Sequence, residues 1–288
     1  MIRSIDKAFE DFHDKIKTSV TETSNAKSHR ASIKGCLDNN FTVKRFARIG
    51  SFGNGTNISG YSDVDYLACL SKSNLDSNSY RSLSNVKNAL AIRFPNTNIR
   101  VSSPTVSCPF GSYRSEDTEI VVADYVCERN GFSVYKIADG STGWIEISPD
   151  AHNVYVDKID KQHFGKVKKL IRFIKAWKYY NNVPIKSFYL EMRVAKYAES
   201  ESSIVYEIDI KRIFQSLLDS ELSSMQDPMK VAGYITPCQS DISKNEALSK
   251  LKTAVNRSTN ALNANSDEDK FYWWNLLFSE KFPSRYYY

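Results

Sequence analysis

Residues 46–70 read Phe46-Ala-Arg-Ile-Gly-Ser-Phe-Gly-Asn-Gly-Thr-Asn-Ile-Ser-Gly-Tyr-Ser-Asp-Val-Asp-Tyr-Leu-Ala-Cys-Leu70, and their order decides the fold. The apolar-alternating run Val43–Ile49 predicts a strand. A Gly50-Ser51 turn follows, then small residues, and Asp63-Val64-Asp65 opens a second strand that runs to Leu70. Side chains alternate along a strand, so Asp63 and Asp65 share a face while Val64 points into the core. Two carboxylates about 4 Å apart repel by several kcal/mol at an effective dielectric of about 20. Either one of them takes up a proton or a divalent cation sits between them. The glycine-rich turn upstream, able to hold phosphates with backbone amides, favours the cation. Asp-x-Asp alone is a common solvated strand end, and Gly-Ser alone is only a turn. The specific signal is their order: strand, Gly50-Ser51, eleven residues, then Asp63-x-Asp65 at the head of another strand.

Gly50-Ser51, Gly55-Thr56 and Ser62-Asp63-Val64-Asp65 resemble the signature of the DNA polymerase β-like nucleotidyltransferase superfamily. The Gly-Ser-x-x-x-Gly-Thr form resembles its bacterial cGAS/DncV-like branch, the CD-NTases, and the eukaryotic oligoadenylate synthases. Many of the bacterial enzymes carry arginine before the second glycine, where this chain has Asn54. The resemblance implies two Mg²⁺ ions, or Mn²⁺ in their place, held by Asp63, Asp65 and a third acid on a neighbouring strand. Glu119–Cys127 is the most strand-like run in the chain, and Asp124 has apolar strand residues on both sides. Asp124 is therefore the expected third acid.

The same resemblance extends to the donor nucleotide. Residues 166–181 predict a helix with Val167, Leu170, Ile171, Ile174 and Trp177 on its apolar face and Lys168, Arg172, Lys175 and Tyr179 along an edge. Ile174-Lys-Ala-Trp177 resembles the family's Ile-Lys-x-Trp element, which implies that Lys175 contacts the triphosphate beside Gly50 and Ser51. Ser187-Phe188-Tyr189-Leu190-Glu191 resembles its Ser-Tyr-x-Leu-Glu element, which implies that Ser187 touches the nucleotide and Phe188 stacks on its base. Ser187 also reads as an ordinary helix N-cap.

With 288 residues, 41% hydrophobic and 25% charged, the chain has the composition of a soluble globular protein of one large or two modest domains. No run approaches a membrane span and no apolar signal segment opens the chain, so a cytoplasmic protein is expected. The five cysteines are scattered without Cys-x-x-Cys, and the four histidines show no ligand spacing, which disfavours a disulfide framework or structural zinc. A net charge of +6 suits an enzyme that handles polyphosphates but is too mild to imply polynucleotide binding.

The expected fold is α+β: a polymerase β-like nucleotidyltransferase lobe over 36–161, a C-terminal α-helical lobe over 162–288, and N-terminal helices over 1–35 bracing both. Ile5, Phe9, Phe12, Ile16 and Val20 recur at helical spacing, with a polar break at Ser24-Asn25 before Ile33 and Leu37. The aromatics of the closing segment, Phe271, Trp274 and Phe278, read as core.

The function implied is synthesis of a short cyclic oligonucleotide second messenger from nucleoside triphosphates, in bacterial antiphage (CBASS) signalling with accessory proteins as partners. The resemblance also implies at least one purine, because relatives with serine immediately before the stacking aromatic, the place of Ser187, tend to use purines; a short hydroxyl leaves room for the larger base. Two other readings share parts of the pattern. An RNA-tailing nucleotidyltransferase of the CCA-adding or poly(A) type shares the acids but needs a primer surface. A non-catalytic nucleotide-binding or antitoxin-like partner has no reason to hold three acids together.

Overall fold

The computed structural model describes residues 2–18, 20–111 and 117–287, with residues 20–28 described through their backbone alone. In chain order these form helices α1 (Ile5–Ile16) and α2 (Val20–Asn40), strand β1 (Val43–Ile49), the short helix α3 (Gly50–Asn54), β2 (Val64–Leu70), α4 (Ser79–Arg93), β3 (Arg100–Ser102), β4 (Thr105–Pro109), β5 (Asp117–Arg129), β6 (Phe132–Ala138) and β7 (Trp144–Ile147). Helices follow: α5 (Pro149–Gln162), α6 (Lys166–Tyr180), α7 (Ser187–Glu199), α8 (Tyr206–Asp219), α9 (Asp241–Leu262) and α10 (Asp267–Leu277). The architecture is α+β, as expected. Among the described residues no helix is long and apolar enough to cross a membrane.

The chain divides into two compact units, one of residues 18–154 with 229–233, the other of 1–17, 155–228 and 234–288. The division runs through the segment 1–35: α1 groups with the helical unit and α2 with the sheet unit. It falls again inside α5. α1 ends at Ile16 and α2 is under way from Val20, so the chain leaves the helix at Lys17 and Thr18, ahead of Ser24-Asn25; the side chains of Val20, Ser24 and Asn25 lie outside the described residues.

In the sheet unit the strand order is β1-β2-β5-β4-β3, with β6 and β7 added beyond β5. β2 and β5 run parallel and the other pairs antiparallel. Alternation gives the sheet two different faces. One carries Phe46, Val64, Tyr66, Ala68, Leu70, Ile120 and Val122, packed under Ile33 and Leu37 of α2 and Leu83, Val86 and Leu90 of α4. Each fully buried valine, leucine or isoleucine of this set contributes about 1.5–3 kcal/mol. The opposite face carries a smaller apolar set, Ile49, Leu67, Cys69, Val121, Ala123 and Tyr135.

The helical unit closes on an aromatic cluster. Phe9 and Phe12 of α1 lie among Phe173 of α6, Tyr206 of α8 and the C-terminal Trp274, Phe278 and Phe282. Phe12 and Phe278 have ring centroids 4.6 Å apart. Phe271, Trp274 and Phe278 are buried, the core role expected of them.

Candidate active site

Asp63 and Asp65 stand at the head of β2, and Asp65 pairs in the ladder with Glu119 near the head of β5. Parallel strands place like ends side by side, so an acid at the head of one meets an acid at the head of the other. Asp65 and Glu119 share the smaller apolar face, in line with Leu67, Cys69, Val121 and Ala123. Asp63 and Glu119 line one cavity of about 290 Å³ with Tyr61, Arg100, Ser102, Ser107 and Asp117.

Asp124 is not part of this group, which corrects the expected triad. Its ladder partner is Leu70, at the far end of β2. Five residues from Asp65's level is about 17 Å at 3.3 Å per residue. An odd separation from Glu119 also turns Asp124 to the opposite face, that of Ile120 and Val122. Glu119 is the acid that the strand-by-strand reading missed. Its signal was present: in Glu119-Ile-Val-Val-Ala123 it opens the apolar run, as Asp65 opens that of β2.

Burial pushes the Glu119 carboxyl above the ordinary carboxylate range, and Asp117 adds to the rise. A hydrogen bond with Thr105 and the charge of Arg100 oppose it. Among the described residues no three His, Cys, Asp or Glu side chains converge as a ready metal site. The donor set nevertheless fits a hard divalent ion: Asp63, Asp65 and Glu119 offer only carboxylate oxygen, the chemistry of Mg²⁺ and Mn²⁺ rather than of zinc.

Gly50 bears directly on that set. It takes φ +62°, and a methyl group built on it would overlap the Asp65 carboxylate. Only glycine lets the backbone approach the acid so closely. Gly50 and Ser51 begin α3 rather than a simple turn, and Gly55, in the left-handed region, caps its end with its N–H on the Ser51 carbonyl. Gly50-Ser51 and Gly55-Thr56 are thus the two ends of one short helix leading away from β1.

In the helical unit the expected donor residues separate. Lys175 is fully buried, with Nζ donating to Glu191 Oε1 at 2.6 Å. It is not an edge residue; Phe173 through Trp177 are all buried on α6. Lys178, three residues on, donates to Ser187 Oγ at 2.8 Å. The Tyr179 hydroxyl lies 3.1 Å from the same oxygen. Ser187 is the first residue of α7, and Lys186 is the N-cap, so the hydroxyl faces Lys178 and Tyr179 instead of capping. Phe188 beside it is 40% exposed.

The profile of the Second Messenger Oligonucleotide or Dinucleotide Synthetase domain (SMODS) matches residues 3–159, more than half of the chain. No curated protein matches by sequence. Among solved structures, CdnC of E. coli MS115-1, determined with ATP, is similar at TM-score 0.77 and 19% identity, covering 96% of this chain and 98% of that one. CdnC in complex with HORMA-deltaN is similar at TM-score 0.75 and 18% identity, with 96% and 98% covered. The Vibrio cholerae DncV cyclic AMP-GMP synthase, solved with the linear intermediate pppA(3′,5′)pG, follows at TM-score 0.66 and 14% identity, with 96% and 86% covered. At these identities the likeness establishes the fold.

Proposed function

From the premise that the chain belongs to the Second Messenger Oligonucleotide or Dinucleotide Synthetase family, the CD-NTases, we propose that it joins nucleoside triphosphates into a short cyclic oligonucleotide in a divalent-metal-dependent reaction. The observation that carries the reading is the pairing of Asp65 with Glu119 at the head of two parallel strands, beside Asp63. The reaction forms a bond from an acceptor ribose hydroxyl to the donor α-phosphorus and breaks the bond to the β-phosphate bridging oxygen, releasing pyrophosphate and the hydroxyl proton.

Asp63, Asp65 and Glu119 would hold Mg²⁺ or Mn²⁺, which lowers the pKa of the attacking hydroxyl and offsets charge on the leaving pyrophosphate. Gly50 leaves room for the Asp65 carboxylate, and Ser51 offers its hydroxyl and amide to phosphate oxygens. In the helical unit, Phe188 stacks on a base, and Lys178 with Ser187 supplies a cation and a hydroxyl to phosphate. Lys175, committed to Glu191, holds α6 against α7 and keeps Lys178 and Ser187 in register. Asp124 has no part in the chemistry.

CBASS signalling in the bacterial cytoplasm is the setting we propose, with a purine among the substrates. An accessory partner fits this setting, since the CdnC structure is of a complex with HORMA-deltaN. The deciding experiment is a primer-free incubation of purified protein with Mg²⁺ or Mn²⁺ and labelled triphosphates, followed by phosphatase. A phosphatase-resistant product with pyrophosphate release is the expected result. Extension of added RNA alone would replace the reading with an RNA-tailing enzyme.

A further inference from the structure

The row of paired residues does not stop at Glu119. Across the sheet it runs Asp65, Glu119, Ser107, Arg100, one residue from each of β2, β5, β4 and β3. Ladder partners point to the same side, so these four side chains share one face. Ser102 lies on that face two residues beyond Arg100, and both line the 290 Å³ cavity with Ser107, Asp63, Asp117 and Glu119. The cavity is therefore acidic toward β2 and carries one guanidinium at its β3 end. Arg100 stands two strand spacings, about 10 Å, from Glu119.

We infer that this cavity takes the base of the acceptor nucleotide, that Arg100 selects it, and that the base is guanine. The inference rests on the transferase reading above, which places the acceptor's ribose hydroxyl at Asp63, Asp65 and Glu119. A nucleoside with its hydroxyl there extends its base along the row toward β3.

The lining sets which base fits. A phosphate would bring more negative charge among three carboxylates answered by one guanidinium, so a neutral group with both acceptors and donors is favoured. Guanine presents O6 and N7 as adjacent acceptors, which match the fixed fork of an arginine. Its N1–H and N2 amine are donors that suit a carboxylate such as Asp117. Adenine turns an amine toward the guanidinium and has no ring N–H for the acid. Ser102 and Ser107 can donate or accept and do not discriminate.

The test separates binding from turnover. The full-length Asp65→Asn protein, altered outside the cavity lining, is titrated calorimetrically with GMP, AMP, CMP and UMP, alone and with Arg100→Met or Asp117→Asn added. Arg100 is exposed on its strand, so its replacement leaves the fold standing, which thermal melting checks. GMP binding about 10- to 100-fold tighter than the other three is expected, the discrimination of a bidentate arginine–guanine pair. Arg100→Met should level the four, and Asp117→Asn should narrow the preference. Equal binding of the four nucleotides, unchanged GMP affinity in Arg100→Met, or equal competition by ribose 5-phosphate would each overturn the inference. Turnover of the wild type then tells the two readings apart. A product without guanine sinks the acceptor assignment and leaves the transferase standing. Arg100-dependent GMP binding with no product from any triphosphate mixture sinks the transferase and leaves a guanine site.

Discussion

At Glu119 the chemistry turns on a single carboxylate. On the proposed reading its partner Asp65 and its neighbour in the cavity, Asp63, make it the third oxygen donor, whereas Asp124 faces the packed side of the sheet beyond Val122. Glu119→Gln keeps the size and removes the charge, and should lower the rate of pyrophosphate release by more than about 100-fold, beyond what loss of an outer-shell partner does. Asp124→Asn should release pyrophosphate at a near wild-type rate. The reverse result would restore Asp124 and displace Glu119. Gly50→Ala should also abolish release, because the added methyl overlaps the Asp65 carboxylate. Its left-handed backbone adds about 1–2 kcal/mol of destabilisation, readable by urea unfolding. Asp63, Asp65 and Gly50 were legible as a local motif, since one strand and one turn fix their relation. The third acid depends on a register between strands some fifty residues apart, which alternation within one strand does not supply.

The helix α6 shows the same limit one level up. Lys175 follows Val167 and Ile171 at steps of four, so it continues their apolar stripe and is carried inward among the buried residues 173–177. Its charge suggested an edge; its spacing specified the core, and Glu191 on α7 makes that tolerable at 2.6 Å. Lys175→Ala would leave the Glu191 carboxylate buried without its partner, and should cost about 3–5 kcal/mol in urea unfolding. Pairing Lys175→Met with Glu191→Leu should recover most of that loss. If Lys175→Ala unfolds like the wild type and changes only the KM for triphosphate, the lysine belongs to the substrate and not to the helix pair. The β5–β6 hairpin had a readable signal that strand propensity alone passes over. Asn130-Gly131 between alternating runs takes positive φ at both residues, 54° and 77°, the two-residue turn that joins twisted strands.

Over the whole molecule, stability depends on how the terminal segments complete the helical unit. α1 supplies Phe9 and Phe12 to its aromatic cluster, and from the same helix His13 accepts a hydrogen bond from Arg172 of α6, Nη1 to Nε2 at 3.0 Å. That bond needs a neutral imidazole. Burial lowers the His13 pKa to about 4, helped by the charges of Arg172 and Lys169 and opposed by Asp14 and Glu10. In the unfolded chain the same histidine titrates near its ordinary value of 6.5. The folded state thus binds fewer protons over this interval, and its stability rises with pH there. The contribution is fully present above pH 6.5 and is lost as pH falls through about 4. Carboxylates titrate in the lower part of the same window, so the informative quantity is a difference between two proteins. His13→Gln offers Arg172 an amide oxygen that does not titrate. In urea unfolding at pH 8 the wild type should be at least as stable as His13→Gln, and the gap should close or invert by pH 4.5. A gap that stays constant from pH 8 to pH 4.5 would mean that the imidazole is protonated alike in both states and that Arg172 has another acceptor.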